Sequence, residues 1–186
     1  MLFISITLAI VIGCIIWKFT IENLDLNDVE IPKSANINYN QQPPIALNVD
    51  LINKEFENNQ NHVIMLYLYT TWCQVCNKNF EVINEIAREF QNTNFKIIAV
   101  AIDRNTDPEA FANNIKNLTN LYFPAYYLAD RNGFIDFLKN KKVNYNNRIP
   151  FTIIFNSNQK IISKFAGIKS KNYLRNKIIK ELFPKN

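Results

Sequence analysis

The chain offers one constellation of obvious chemistry, Trp72-Cys73-Gln74-Val75-Cys76. It ends an apolar, strand-like run over 62–70 and leads into a helical pattern that continues to about Phe90. A Cys-x-x-Cys on the first turn of a helix faces the unsatisfied N–H groups there, which stabilise a thiolate and lower the pKa of the first cysteine. A redox-active dithiol is the leading reading. A structural zinc site takes about four Cys or His ligands. This chain has Cys14, Cys73, Cys76 and His62, with Cys14 inside an apolar run, so zinc is not expected and no metal ligand is assigned. A purely structural disulfide across two residues closes so short a loop that it constrains the unfolded chain little. A soft-metal site holding Cu(I) and an inert pair remain as the two alternatives.

The elements that must position this pair can be read from the rest of the chain. At 186 residues and 48% apolar composition there is room for one ordinary domain with a real core and an appendage. The net charge of +5 is spread over Lys-rich stretches at 139–142 and 169–180, which read as solvated surface rather than a nucleic-acid site. With only three glycines, no glycine-rich phosphate loop can be drawn.

Residues 2–17 carry no charge and read as a membrane segment. Sixteen helical residues span about 24 Å, and continuing to residue 21 approaches the hydrocarbon thickness. The expected organisation is an uncleaved membrane anchor over 1–21, an extended Asn-rich linker over 22–44 broken by Pro32, Pro43 and Pro44, and a folded domain over 45–186. Val11-Ile12-Gly13-Cys14 is a second route to the same tether, because it resembles a lipoprotein processing box. The domain is expected outside the cytoplasm, where disulfides form and must be handled.

Within the domain, 47–56 begins as a short strand or helix, 63–70 is a buried strand, 74–90 a helix and 95–102 a second buried strand. Asp107-Pro108 supplies a cap and a first-turn proline for a helix running to about residue 118. A short strand or extended segment is expected over 122–128 and a short helix over 133–141. Strands over 151–155 and 160–166, joined through 156–159, form a hairpin, and Ser170 caps a last helix reaching residue 182. Strands alternating with helices predict an α/β domain with a mixed sheet.

Two segments then carry a resemblance: Thr70-Thr71-Trp72-Cys73-Gln74-Val75-Cys76 between strand and helix, and Arg148-Ile149-Pro150-Phe151-Thr152 before the hairpin. The chain resembles the thioredoxin superfamily over roughly 47–182, and within it the membrane-anchored TlpA/ResA/CcmG-like thiol-disulfide oxidoreductases. Residues 98–103 and 107–111 are similar to the second strand and inserted helix of that branch. The resemblance implies a thioredoxin-like fold with a central mixed sheet flanked by helices. It also implies an exposed attacking Cys73, a more buried resolving Cys76, and a cis Pro150. Ile149 and Pro150 would then offer backbone to an extended substrate, with Trp72 as a contact surface or as core packing.

The implied function is exchange of disulfides with protein thiols, in a reductive direction such as cytochrome c maturation, fed by an upstream membrane or soluble dithiol donor. No cofactor and no nucleic-acid partner are implied. The chain departs from the family at Gln74-Val75, where a proline is common between the cysteines. It departs again at Tyr67, where many thioredoxins carry a buried acid, and at Glu81 in place of a helix proline. Two other functions compete. A copper-delivery module is disfavoured by the two-residue spacing and by the position of His62. A peroxiredoxin is disfavoured because no Pro-x-x-x-Thr-x-x-Cys occurs.

Overall fold

The computed structural model describes residues 39, 42–104, 106–116 and 121–184. The expected anchor over 1–21 with Cys14, and the linker over 22–44 apart from residues 39 and 42–44, lie outside the described residues. Among the described residues no helix is long and apolar enough to cross a membrane.

Alternation of strand and helix signals is realised as β1 (Ile45–Leu47), α1 (Val49–Asn58), β2 (Val63–Tyr69), α2 (Gln74–Phe90), β3 (Phe95–Ala101), α3 (Pro108–Lys116), β4 (Ala125–Leu128), α4 (Arg131–Asn140), β5 (Phe151–Phe155), β6 (Ile161–Ala166) and α5 (Lys171–Leu182). The strands form one mixed sheet in the order β1-β4-β3-β2-β5-β6. β1, β4, β3 and β2 run parallel, whereas β5 is antiparallel to β2 and β6 to β5. A strand covered on both faces has to be apolar throughout. All seven residues of β2 are accordingly buried, and β2 lies between β3 and β5.

Alternate side chains of the central strands feed two separate cores. Ile64, Leu66, Leu68, Ile98, Val100 and Ile153 share one cluster with Ile52 and Phe56 of α1 and Phe134, Phe137 and Leu138 of α4. The opposite face meets α2 through Phe80, Ile83, Ile86 and Phe90. There Tyr69 packs edge-on against Phe80 at 5.4 Å. Ion pairs from Lys171 and Arg175 to Glu85 and Glu89 fasten α5 to α2.

The boundaries differ from the sequence reading by more than one residue in three places. Residues 47–56 are both strand and helix, because the Asn48 side chain accepts a hydrogen bond from the Leu51 N–H at 2.8 Å and starts α1 after a three-residue strand. The short strand or extended segment expected over 122–128 is strand only in β4, since Tyr122 N–H donates to Asn84 Oδ1 at 2.9 Å and Pro124 has no N–H for a ladder. The helix expected over 133–141 starts at Arg131, where Asp130 caps it by accepting from Gly133 N–H at 3.0 Å. Ser170 caps α5 as expected, accepting from Tyr173 N–H.

Candidate active site

The topology brings distant parts of the chain to one edge of the sheet. The carboxyl ends of the parallel strands β2, β3 and β4 lie side by side, and antiparallel β5 begins there, with Phe151 opposite Leu68. Crevices at the carboxyl ends of parallel strands are the usual ligand sites of α/β sheets. Here that end collects Thr70 to Cys76 after β2, Asp103 and Arg104 after β3, Arg131 after β4, and Ile149-Pro150 before β5.

Cys73 is the N-cap of α2. Its Sγ accepts from the Cys76 backbone N–H at 3.1 Å, and the two sulfurs are joined in a disulfide with Cα atoms 5.2 Å apart. The same N–H groups that cap the helix would stabilise a negative charge on Cys73 Sγ once the bond opens. Cys76 is fully buried and Cys73 is 9% exposed. The order matches the expectation, but Cys73 is less open than expected because its sulfur is folded back onto the helix terminus and onto Cys76. Gln74 and Val75 between them are exposed.

The turn that presents Cys73 is braced from β3. Thr71 donates through its backbone N–H to both carboxylate oxygens of Asp103, at 3.1 and 3.2 Å, and through Oγ1 at 2.9 Å. Cys73 N–H closes the turn onto Thr70 C=O at 3.2 Å. The bracing role of Asp103 was not evident from the sequence, although its place directly after a buried parallel strand is the available signal.

Beneath the dithiol lies a tyrosine pair rather than an acid. Tyr67 donates to the Cys76 carbonyl at 3.3 Å and accepts from Asn79 Nδ2 at 3.4 Å, and its ring stacks on Tyr69 at 5.7 Å. Burial pushes the Tyr67 hydroxyl up to about 12, partly offset by the bond from Asn79. Burial raises Tyr69 further, with Tyr67 and Asp103 adding to the effect. Tyr67 therefore stays protonated across ordinary pH and acts as a donor that holds the Cys76 backbone, not as a base near neutrality.

Trp72 is 71% exposed, which removes core packing as its role. The Ile149–Pro150 bond is cis, and Gly167 N–H donates to Pro150 C=O at 2.8 Å. Ile149 makes no backbone hydrogen bond to another described residue, so its N–H and C=O remain available to an added extended segment. A groove of about 620 Å³ adjoins these groups, lined in part by Trp72, Arg104, Arg131, Tyr145 and Ile149. His62 is not brought near the cysteines: it precedes β2 whereas Cys73 follows it, a separation of about 20 Å along a strand of this length. Among the described residues no three His, Cys, Asp or Glu side chains gather in a metal-holding group.

Residues 41–180 match the AhpC/TSA family. Solved structures share the fold at low identity. A thioredoxin-family thiol:disulfide interchange protein from Chlorobium tepidum TLS has a TM-score of 0.56 at 13% identity, covering 68% of this chain and 84% of that one. The exposed lipoprotein thioredoxin of Streptococcus pneumoniae has a TM-score of 0.54 at 17% identity, covering 66% and 87%. A thiol:disulfide interchange protein from Bacteroides sp. has a TM-score of 0.50 at 16% identity, covering 67% and 76%. No curated protein matches the chain by sequence.

Proposed function

The chain belongs to the AhpC/TSA family as a thioredoxin-fold thiol-disulfide oxidoreductase, and from that premise we propose that it is a membrane-tethered reductant of protein disulfides. Cys73 thiolate attacks one sulfur of a partner disulfide, forming a mixed disulfide and releasing the other partner sulfur as a thiolate. Cys76 thiolate then attacks Cys73 Sγ and releases the second partner thiol. Two electrons pass to the partner, and the Cys73–Cys76 disulfide left behind is reopened by an upstream dithiol donor.

One observation carries the protein-substrate reading. Of the five large apolar residues exposed among the described residues, Trp72, Val75 and Ile168 belong to the segments that meet at the dithiol. Trp72 and Val75 flank Cys73, and Ile168 follows Gly167, which is bonded to Pro150. Exposed apolar groups grouped in this way mark a docking surface for another protein, and the unpaired Ile149 backbone supplies a β-edge in its middle. Trp72, Ile149 and Pro150 are assigned to substrate contact on this basis. The charge-free segment over 2–17 supports an anchor that holds the domain over 45–186 on the extracytoplasmic face, the periplasmic one in a Gram-negative cell. Reductive work there includes keeping cysteines open for cytochrome c assembly.

Equilibration with a glutathione or thioredoxin couple measures the reduction potential and decides the direction. A value near thioredoxin's, about −270 mV, is the expected result, and one near DsbA's, about −120 mV, would make the protein an oxidant instead.

A further inference from the structure

The groove beside the dithiol has a charge as well as a shape. Its apolar wall is formed by Trp72, Ile135, Tyr145 and Ile149, and its cations are Arg104 and Arg131. It shares Ile135, Tyr145 and Asn147 with a second hollow of about 280 Å³ that continues it along α4. A third arginine, Arg148, is exposed directly before Ile149. Three of the chain's five arginines thus come to this one end of the sheet, Arg104 and Arg148 from loops and Arg131 from the first turn of α4.

None of the three is spent on a carboxylate. Among the described residues Arg104, Arg131 and Arg148 take part in no ion pair, and Arg131 donates only to the Ile102 carbonyl, at 2.6 Å. The remaining two are occupied elsewhere, Arg88 over the Tyr122 ring and Arg175 on Glu89. The single carboxylate in the groove wall, Asp103, already accepts three hydrogen bonds from Thr71. The groove is left with net positive charge above an apolar floor.

An extended segment paired with Ile149 would direct alternate side chains into this groove. Guanidinium groups bind carboxylates in paired hydrogen bonds, and uncompensated surface charge speeds encounter with the opposite sign. Resting on the disulfide-exchange reading above, we propose that the groove selects protein partners whose target cysteine is flanked by Asp or Glu in an extended, partly apolar segment. The arginines set which disulfide is chosen, and the dithiol performs the exchange.

Two single-cysteine peptides test this, each capped as a mixed disulfide with 2-mercaptoethanol, one with Glu and the other with Lys on both sides of the cysteine. Cys73 attacks the peptide sulfur and releases 2-mercaptoethanol. Cys76 then displaces the peptide thiol, leaving the protein oxidised by two electrons. The reduced protein is expected to turn over the Glu peptide about tenfold faster than the Lys peptide at low salt, with the ratio falling towards one near 0.5 M salt, where exposed charges are screened. The R104E/R148E variant, altered only at exposed positions, is expected to reverse the ratio. Equal rates for the two peptides at low salt, or an acidic preference that survives both salt and the variant, would overturn the assignment. Bis(2-hydroxyethyl) disulfide, which has no charge, separates the two levels of the argument. If the wild-type protein does not exchange with it, the exchange reading itself fails; if it does exchange and shows no charge preference between peptides, only the groove's role is lost.

Discussion

Replacing Cys73 by alanine is expected to lower protein-disulfide reduction on the order of 10³-fold or more, to the uncatalysed background, as followed by insulin reduction with a dithiol donor in excess. Among the described residues no second sulfur can stand in for it. Cys76 is fully buried in the first turn of α2, and its backbone is held by the Tyr67 hydroxyl. A sulfur in that position resolves an intermediate already attached to its neighbour, but it does not meet an incoming disulfide. Removal of a nucleophile that anchors a whole reaction sequence commonly costs as much as removing the full site. If the Cys73→Ala protein kept more than about a tenth of wild-type turnover, attack would have to be assigned to Cys76.

The second large effect is on stability and leaves the chemistry alone. Phe56 of α1 packs edge-on against Phe137 of α4 at 5.2 Å and against Phe155 of β5 at 5.1 Å, and Lys141 Nζ lies 4.6 Å above its ring. It ties two helices and a strand into one core, at the end of the sheet remote from the dithiol, since Phe155 is opposite Ile64 whereas Phe151 is opposite Leu68. Phe56→Ala is expected to cost about 3–5 kcal/mol in urea unfolding, a large part of the 5–15 kcal/mol typical of a domain. The reduction rate per folded molecule should stay within about a factor of two of wild type in conditions where the variant is folded. A loss under about 1 kcal/mol would show that the three rings do not act as one core.

Much of this arrangement is legible in the residues because local signals and the global fold agree. The run in β2 is apolar at every position and that in β3 at every position but Lys96, which only a doubly covered strand tolerates. Cys73 and Ser170 sit at helix starts, where their side chains accept the N–H groups they were expected to accept. The elements whose bounds depart from the sequence pattern are those fixed by one side chain. Asn48 and Asp130 each begin a helix from within a segment whose apolar period gives no warning, and Asn84 removes Tyr122 from a strand by reaching across 38 residues. The dithiol was visible because its chemistry is compressed into five residues. Its surroundings were not. Asp103 and Arg104 follow β3, Arg131 opens α4 after β4, and Tyr145 lies between α4 and β5, so the pairing of the strands is what brings these segments together. A pattern of types along one chain does not encode that meeting.

The claim on which the rest depends is the division of labour within Trp72 to Cys76: Cys73, capping α2, attacks, and buried Cys76 resolves. Its most direct measurement is the identity of the sulfur in the covalent intermediate. The Cys76→Ala protein is mixed with a peptide disulfide, quenched with acid and analysed by peptide mass spectrometry. The predicted result is a stable adduct through Cys73, absent when Cys73 is the residue replaced and Cys76 is left intact. An adduct through Cys76 in the Cys73→Ala protein, or none through Cys73 in the Cys76→Ala protein, would contradict it.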